Sequence, residues 1–145
     1  NLMIRIKKNQ KFQTKDKSGR INGNLITIYN DNDKFYISSD APKQVYVTTI
    51  KVNASKGPHL HYKRQGHFTC IKGNIKIVVK INSKYEEYFS GEDYEFASII
   101  IPKGLPALLV NIDDEEAFVI NTPNPAWTEE MNDEHDYDFS DYYMK

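Results

Sequence analysis

Residues 57–73 read Gly57-Pro58-His59-Leu60-His61-Tyr62-Lys63-Arg64-Gln65-Gly66-His67-Phe68-Thr69-Cys70-Ile71-Lys72-Gly73, and hold three of the four histidines of the chain within nine residues. On a strand, side chains two apart point to one face about 7 Å from each other, so a strand here sets His59 and His61 side by side. If that face is the interior of a barrel, two imidazoles look into one cavity. The alternative is a pair of hydrogen-bonded interior or rim histidines with a purely structural duty.

Short alternating runs separated by turn residues flank this segment, at the spacing of all-β folds. Strands are expected over Leu25–Tyr29, closed by Asn30-Asp31-Asn32-Asp33, and over Gln44–Val52, rich in β-branched and aromatic residues. They continue over His59–Lys63, His67–Lys72, Asn74–Ile81 and Tyr85–Phe89, with Asn82-Ser83 as a tight turn between the last two. Ser98-Ile99-Ile100-Ile101 is a buried strand stopped by Pro102-Lys103-Gly104, and Ala107–Ile112 and Glu116–Asn121 read as a hairpin across Asp113-Asp114. No window between residues 20 and 122 shows a 3.6-residue period, so helices are short or absent. Eight or more antiparallel strands within about 100 residues fit a β-sandwich or a small barrel.

The chain has 145 residues, 39% hydrophobic and 27% charged, which predicts one globular domain over residues 1–145. Its core is expected over about residues 24–127, followed by an acidic tail over residues 128–145. A net charge of -1 is too neutral for a protein that neutralises a phosphate backbone, so no nucleic-acid partner is expected. The longest apolar runs, Ser98–Pro102 and Leu105–Val110, fall far short of the ~20 residues of a membrane helix. One cysteine leaves no disulfide framework and no cysteine-based zinc site. Residues 1–8 are basic without an apolar stretch of signal-peptide length, and a cytoplasmic location is expected. Residues 129–141 carry Glu129, Glu130, Asp133, Glu134, Asp136, Asp138 and Asp141 with Tyr137 and Phe139 between them. That segment reads either as a solvated extension or as an ordered flap whose aromatics pack on the body.

Together with Pro102-Lys103-Gly104-Leu105-Pro106-Ala107-Leu108-Leu109-Val110-Asn111, the histidine segment resembles the two motifs of the cupin family, small jelly-roll barrels. His59, His61 and Gly73 stand in places that match the first motif, whose glutamate position falls on Gly66. Pro102, Gly104 and Asn111 match the second, with Ala107 where that motif has a histidine. The resemblance implies an all-β cupin jelly-roll barrel with few or no helices. Metal-binding cupins supply three histidines and one glutamate, and catalytic zinc or iron sites use at least three protein ligands. With Gly66 and Ala107 unable to coordinate, no metal and no cofactor is expected. His67 neighbours an inward position and so faces away from that set.

A more specific resemblance covers Gln44 to Tyr142. Gly57–Lys63, Phe68–Gly73, Ile101–Gly104 and Val119–Trp127, followed by the acidic tail, are similar to the RmlC-like cupins that act on nucleotide sugars. These include the dTDP-4-dehydrorhamnose 3,5-epimerases and the dTDP-sugar 3,4-ketoisomerases. In the epimerases Arg-Gly precedes Leu-His-Tyr; here Pro58 and His59 take those two places and His61 that of the catalytic histidine. Their lysine falls at Gly66, and their tyrosine acid near Asn124 or Pro125. The ketoisomerases carry Gly-x-His-x-His, which His59 and His61 match better.

The resemblance implies a metal-independent isomerase or epimerase of a nucleotide-linked sugar in surface-polysaccharide biosynthesis, working as a homodimer. Imidazole, with an unperturbed pKa near 6.5, acts as acid or base at neutral pH. His59 and His61 are therefore the expected proton-transfer pair, with Tyr46 as a candidate proton donor. Lys63, Arg64, His67, Trp127 and Asn121 are the substrate-binding candidates: the cations for a diphosphate, Trp127 for stacking on a base or sugar. Ketoisomerase, epimerase and ring mutase all stay open at this point. So does a different class altogether, a cupin that binds a sugar without turning it over.

Overall fold

Period-two alternation shapes the longest strands. In β7 (Asn74–Ile81) the side chains of Ile75, Ile77 and Val79 are fully buried on one face, while Lys76 and Lys80 lie on the other. The computed structural model describes residues 3–37 and 39–143. Twelve strands are present among them: β1 (Arg5–Lys7), β2 (Lys11–Lys15), β3 (Ile21–Ile26), β4 (Tyr46–Ile50), β5 (Ser55–Leu60), β6 (Gly66–Lys72), β7, β8 (Lys84–Gly91), β9 (Ser98–Ile101), β10 (Ala107–Asn111), β11 (Ala117–Asn121) and β12 (His135–Asp136). Helix is confined to the four-residue α1 (Ser140–Tyr143) and two 3₁₀ turns.

All strand pairings are antiparallel. One five-stranded sheet has the order β1-β9-β6-β11-β4, a second the order β12-β5-β10-β7-β8, and β2-β3 forms a separate hairpin. The inner faces of the two large sheets meet in a core built from Ile50, Cys70, Ile75, Ile77, Val79, Ile99, Ile101, Leu109 and Val119. The sulfur of Cys70 is sealed in this core, and burial pushes its thiol pKa up to about 12, leaving it protonated and unreactive.

Several expectations are corrected. The expected hairpin of β10 with β11 does not form: β10 pairs with β5 and β7 in one sheet, β11 with β4 and β6 in the other. Each presents an apolar inner face, so placing them in opposite sheets buries both. The first expected strand lies earlier, at β3, where it pairs with β2. That hairpin is mostly solvent-exposed and shows no alternation; its turn is set by the Asp16 carboxylate, which accepts from the backbone N–H groups of Ser18 and Arg20. The strand expected over His59–Lys63 is also displaced, ending at Leu60.

Residues 129–143 form the ordered flap rather than a solvated extension. Phe139 is 1% exposed and packs on Val78 and Leu108 across the outer face of the second sheet. Tyr142 and Tyr137 stack their rings against the ammonium groups of Lys76 and Lys80, 5.4 and 5.7 Å away. The lysines that β7 turns outward thus face the acids and aromatics of the tail.

Candidate functional site

Between the sheets, at the end of the barrel reached by β5, lies a cavity of about 290 Å³. Its wall carries His59, His61, Tyr46, Arg64, Phe68, Asn121 and Glu134, with Ile101, Leu105 and Leu109 at its apolar side. Both histidines line the cavity, His59 from β5 and His61 from the first residue beyond the strand's end. Close strand approach positions them: Gly57, at φ +100°, stands where an added Cβ would lie 2.8 Å from the carbonyl oxygen of Ala107. Ala107 in turn pairs with His59 across β10 and β5.

After β5 the chain turns sharply, and one carboxylate organises the turn. Asp133, 5% exposed, accepts from the backbone N–H groups of Tyr62 (2.8 Å), Lys63 (2.9 Å) and Arg64 (2.9 Å). This nest directly follows His61. Beyond it Arg64 donates from Nη2 to His61 Nε2 at 3.0 Å, so that nitrogen carries the lone pair. Burial, and then the Arg64 charge, hold the His61 pKa below the ordinary imidazole value, against the opposing pull of Asp133 and Glu134. Glu134 Oε1 lies 3.3 Å from His59 Nδ1, setting a carboxylate at that ring nitrogen.

Tyr46 reaches the cavity from β4 and accepts a 2.7 Å hydrogen bond from Asn121 Nδ2. A second recess continues outward from the cavity, sharing Tyr46, His61, Arg64 and Glu134 and adding Gln44, Met131 and Trp127. Trp127 is 58% exposed there, its backbone N–H donating to Gln44 Oε1.

Two substrate-binding expectations fall away. His67 points out of the other side of β6, where it is fully buried and stacked on Tyr36 with ring centroids 5.1 Å apart. Burial drives its pKa down to about 4. Lys63 turns to the flap, its Nζ donating to the carbonyl of Met131. Residue reading missed Asp133, Glu134, Thr48 and Lys56; the last two face the cavity together, Lys56 Nζ donating to Thr48 Oγ1. The missed acids had one signal, an acidic run broken by aromatics, but nothing local said where it would dock.

Gly66 and Ala107, the two positions where the cupin motifs have a glutamate and a histidine, both line the cavity. Even a Cβ on Gly66 would lie 2.6 Å from Phe68 Cε2, so the space of a glutamate there is taken by an aromatic ring. Among the described residues no group of three or more His, Cys, Asp or Glu side chains is placed to hold a metal ion. The side chains present do not fit a cupin metal.

The family model FdtA, described as WxcM-like, C-terminal, matches residues 4–144. The chain belongs to the FdtA family. No curated protein matches this FdtA-family chain in sequence. Among solved structures, a dTDP sugar isomerase from Desulfovibrio desulfuricans G20 superposes with a TM-score of 0.79 at 11% identity, covering 97% of this chain and 87% of that one. QdtA, a sugar 3,4-ketoisomerase from Thermoanaerobacterium thermosaccharolyticum solved with TDP, gives a TM-score of 0.68 at 18% identity, covering 97% and 91%. ChmJ, a 3'-monoepimerase from Streptomyces bikiniensis solved with dTDP-quinovose, gives 0.73 at 15% identity, covering 97% and 72%. The FdtA-family chain has the RmlC-like cupin fold.

Proposed function

We propose that this FdtA-family chain is an isomerase of a dTDP-linked 4-keto-6-deoxy sugar, with His59 and His61 exchanging protons with the sugar. The observation that carries this reading is the pair of imidazoles on one cavity wall, each with a charged group at a ring nitrogen. The family match and the nucleotide-sugar enzymes among the structural neighbours support the substrate class. The sugar sits in the cavity; the diphosphate lies at Arg64, whose guanidinium suits bidentate phosphate contact, and the nucleoside occupies the outer recess beside Trp127.

A 3,4-keto shift is the reaction this equipment suits best. A base removes the proton on C3 while O4 gains one, giving a 3,4-enediol. O3 then loses its proton as C4 gains one, and the carbonyl has moved from C4 to C3. No redox partner is needed, and two imidazoles supply both transfers. Tyr46 is the candidate donor at a sugar oxygen. The exposed Val47 and Phe118 on the first sheet, with Val45 just before β4, support assembly as a homodimer.

Incubation with dTDP-4-keto-6-deoxyglucose in D2O, followed by proton NMR, tests the proposal. Loss of the C3 signal and appearance of a 3-keto product are expected. His61→Asn lowers turnover by about 100-fold or more, the usual share of a general acid–base group. Tight binding of the nucleotide sugar with no exchange and no isomerisation would leave a non-catalytic sugar binder in its place.

A further inference from the structure

Asn121 is fully buried at the end of β11, and the proton-transfer scheme gives it no part. Its amide spans two groups. Oδ1 accepts from the backbone N–H of His67 at 3.0 Å, and Nδ2 donates to the Tyr46 hydroxyl at 2.7 Å. This orientation is forced: a backbone N–H can only donate, so the amide atom facing it must be the oxygen. The NH2 end is then left for Tyr46, where it too can only donate. The Tyr46 oxygen is therefore an acceptor on this side, and its own hydrogen has no acceptor among the described residues.

The anchor itself is rigid. His67 pairs with Ile100 of β9 on one side of β6, and on the other its carbonyl accepts from the Thr122 N–H at 3.0 Å. Tyr46 shares the cavity wall with His59 and His61.

We infer that Asn121 is a positioning residue that sets the polarity of the Tyr46 hydroxyl, leaving the phenol hydrogen free for a sugar oxygen. Its donated hydrogen bond also supports the negative charge that gathers on the phenol oxygen as that proton is given up. Asn121 thus acts through Tyr46 rather than as a contact to substrate. The inference rests on the reading of the cavity as a nucleotide-sugar site.

A double-mutant cycle over Tyr46→Phe and Asn121→Ala tests it, with dTDP-4-keto-6-deoxyglucose as the probe. Tyr46→Phe lowers kcat roughly 100-fold. Asn121→Ala lowers kcat about 10-fold with KM within about 2-fold, and the double variant matches Tyr46→Phe alone. Losses that multiply overturn the inference. If the probe binds without turnover, the same cycle is read on Kd, again with non-additive losses expected.

Should Asn121→Ala fail to fold, Asn121→Asp serves. Its ionised carboxylate still accepts from His67 but can only accept from Tyr46, drawing the phenol hydrogen out of the cavity. The ratio of variant to wild-type kcat then falls as pH rises through the titration of the new carboxyl; a pH-independent ratio overturns the inference. A wild-type protein that neither binds nor converts the probe overturns the reading of the site as well, whereas binding with multiplicative losses overturns this inference alone.

Discussion

Replacing Asp133 by alanine removes one acceptor from three backbone donors at once. The N–H groups of Tyr62, Lys63 and Arg64 all converge on its carboxylate at 2.8–2.9 Å. Water can reach part of this turn, so the loss is the net value of the bonds rather than full desolvation. At about 1 kcal/mol per donor the cost is roughly 3 kcal/mol. For a domain of this size, 1 kcal/mol moves the melting temperature by about 2–4 °C, which puts the expected drop at roughly 6–12 °C. The turn begins at the residue after His61 and contains Arg64, so loosening it also blurs the placement of His61 and Arg64 at the cavity. We expect kcat/KM for dTDP-4-keto-6-deoxyglucose to fall about 10-fold, the scale on which a modest misplacement acts. Asp133→Asn keeps one carbonyl oxygen and should recover about half of both losses. Differential scanning calorimetry and steady-state kinetics on the three proteins measure this. A shift in melting temperature below about 2 °C for the alanine variant would refute the reasoning, because three ordered donors cannot lose a shared anion so cheaply.

Other outcomes follow from single groups. His67 has a pKa near 4 when folded against 6.5 when free, so the unfolded chain binds more protons between those values. Its neutral burial therefore costs nothing above pH 6.5, and stability falls by up to about 3 kcal/mol as pH drops from 6.5 to 4; denaturant titrations should show this slope in the wild type and a flatter one in His67→Phe. Arg64→Leu removes a positive charge beside His61 and lets that imidazole protonate more readily. The acid limb of its kcat/KM profile should move to higher pH, with weaker retention of dTDP by equilibrium dialysis. Gly66→Glu should destabilise by about 1–3 kcal/mol through overpacking against Phe68, and the added change Phe68→Ala should relieve much of that penalty in urea melts.

Local patterning made the barrel legible. β7 and β9 announce themselves because their buried faces demand isoleucine and valine, and Asn82-Ser83 marks its hairpin because both residues adopt positive φ, at 50° and 68°. His59 lies on β5 as the two-residue period required, whereas His61 follows the strand's end and leads into the turn held by Asp133. Sheet membership of β10 and β11 was not legible, since both inner faces are apolar and pairing is decided by partners far along the chain. The exposed hairpin of β2 and β3 escaped for the opposite reason: with little to bury, it needs no alternation. His67 shows how much one residue of phase matters. Gly66 and Phe68 line the cavity, so the residue between them faces Tyr36 instead. Asp133 and Glu134 sit among other acids, and only their docking against the turn and His59 separates them from their neighbours.

The carboxylate that shapes the turn after His61 lies 71 residues further along the chain than the first amide it holds. At a synthesis rate of about 5–20 residues per second, roughly 4–14 seconds pass on the ribosome between the appearance of that amide and of its anchor. A nascent barrel with His59, His61 and His67 already translated would thus still lack the anchor of the turn that follows His61. Proteolytic clipping before residue 133 should return the finished chain to that unassembled condition without removing a single imidazole from its cavity.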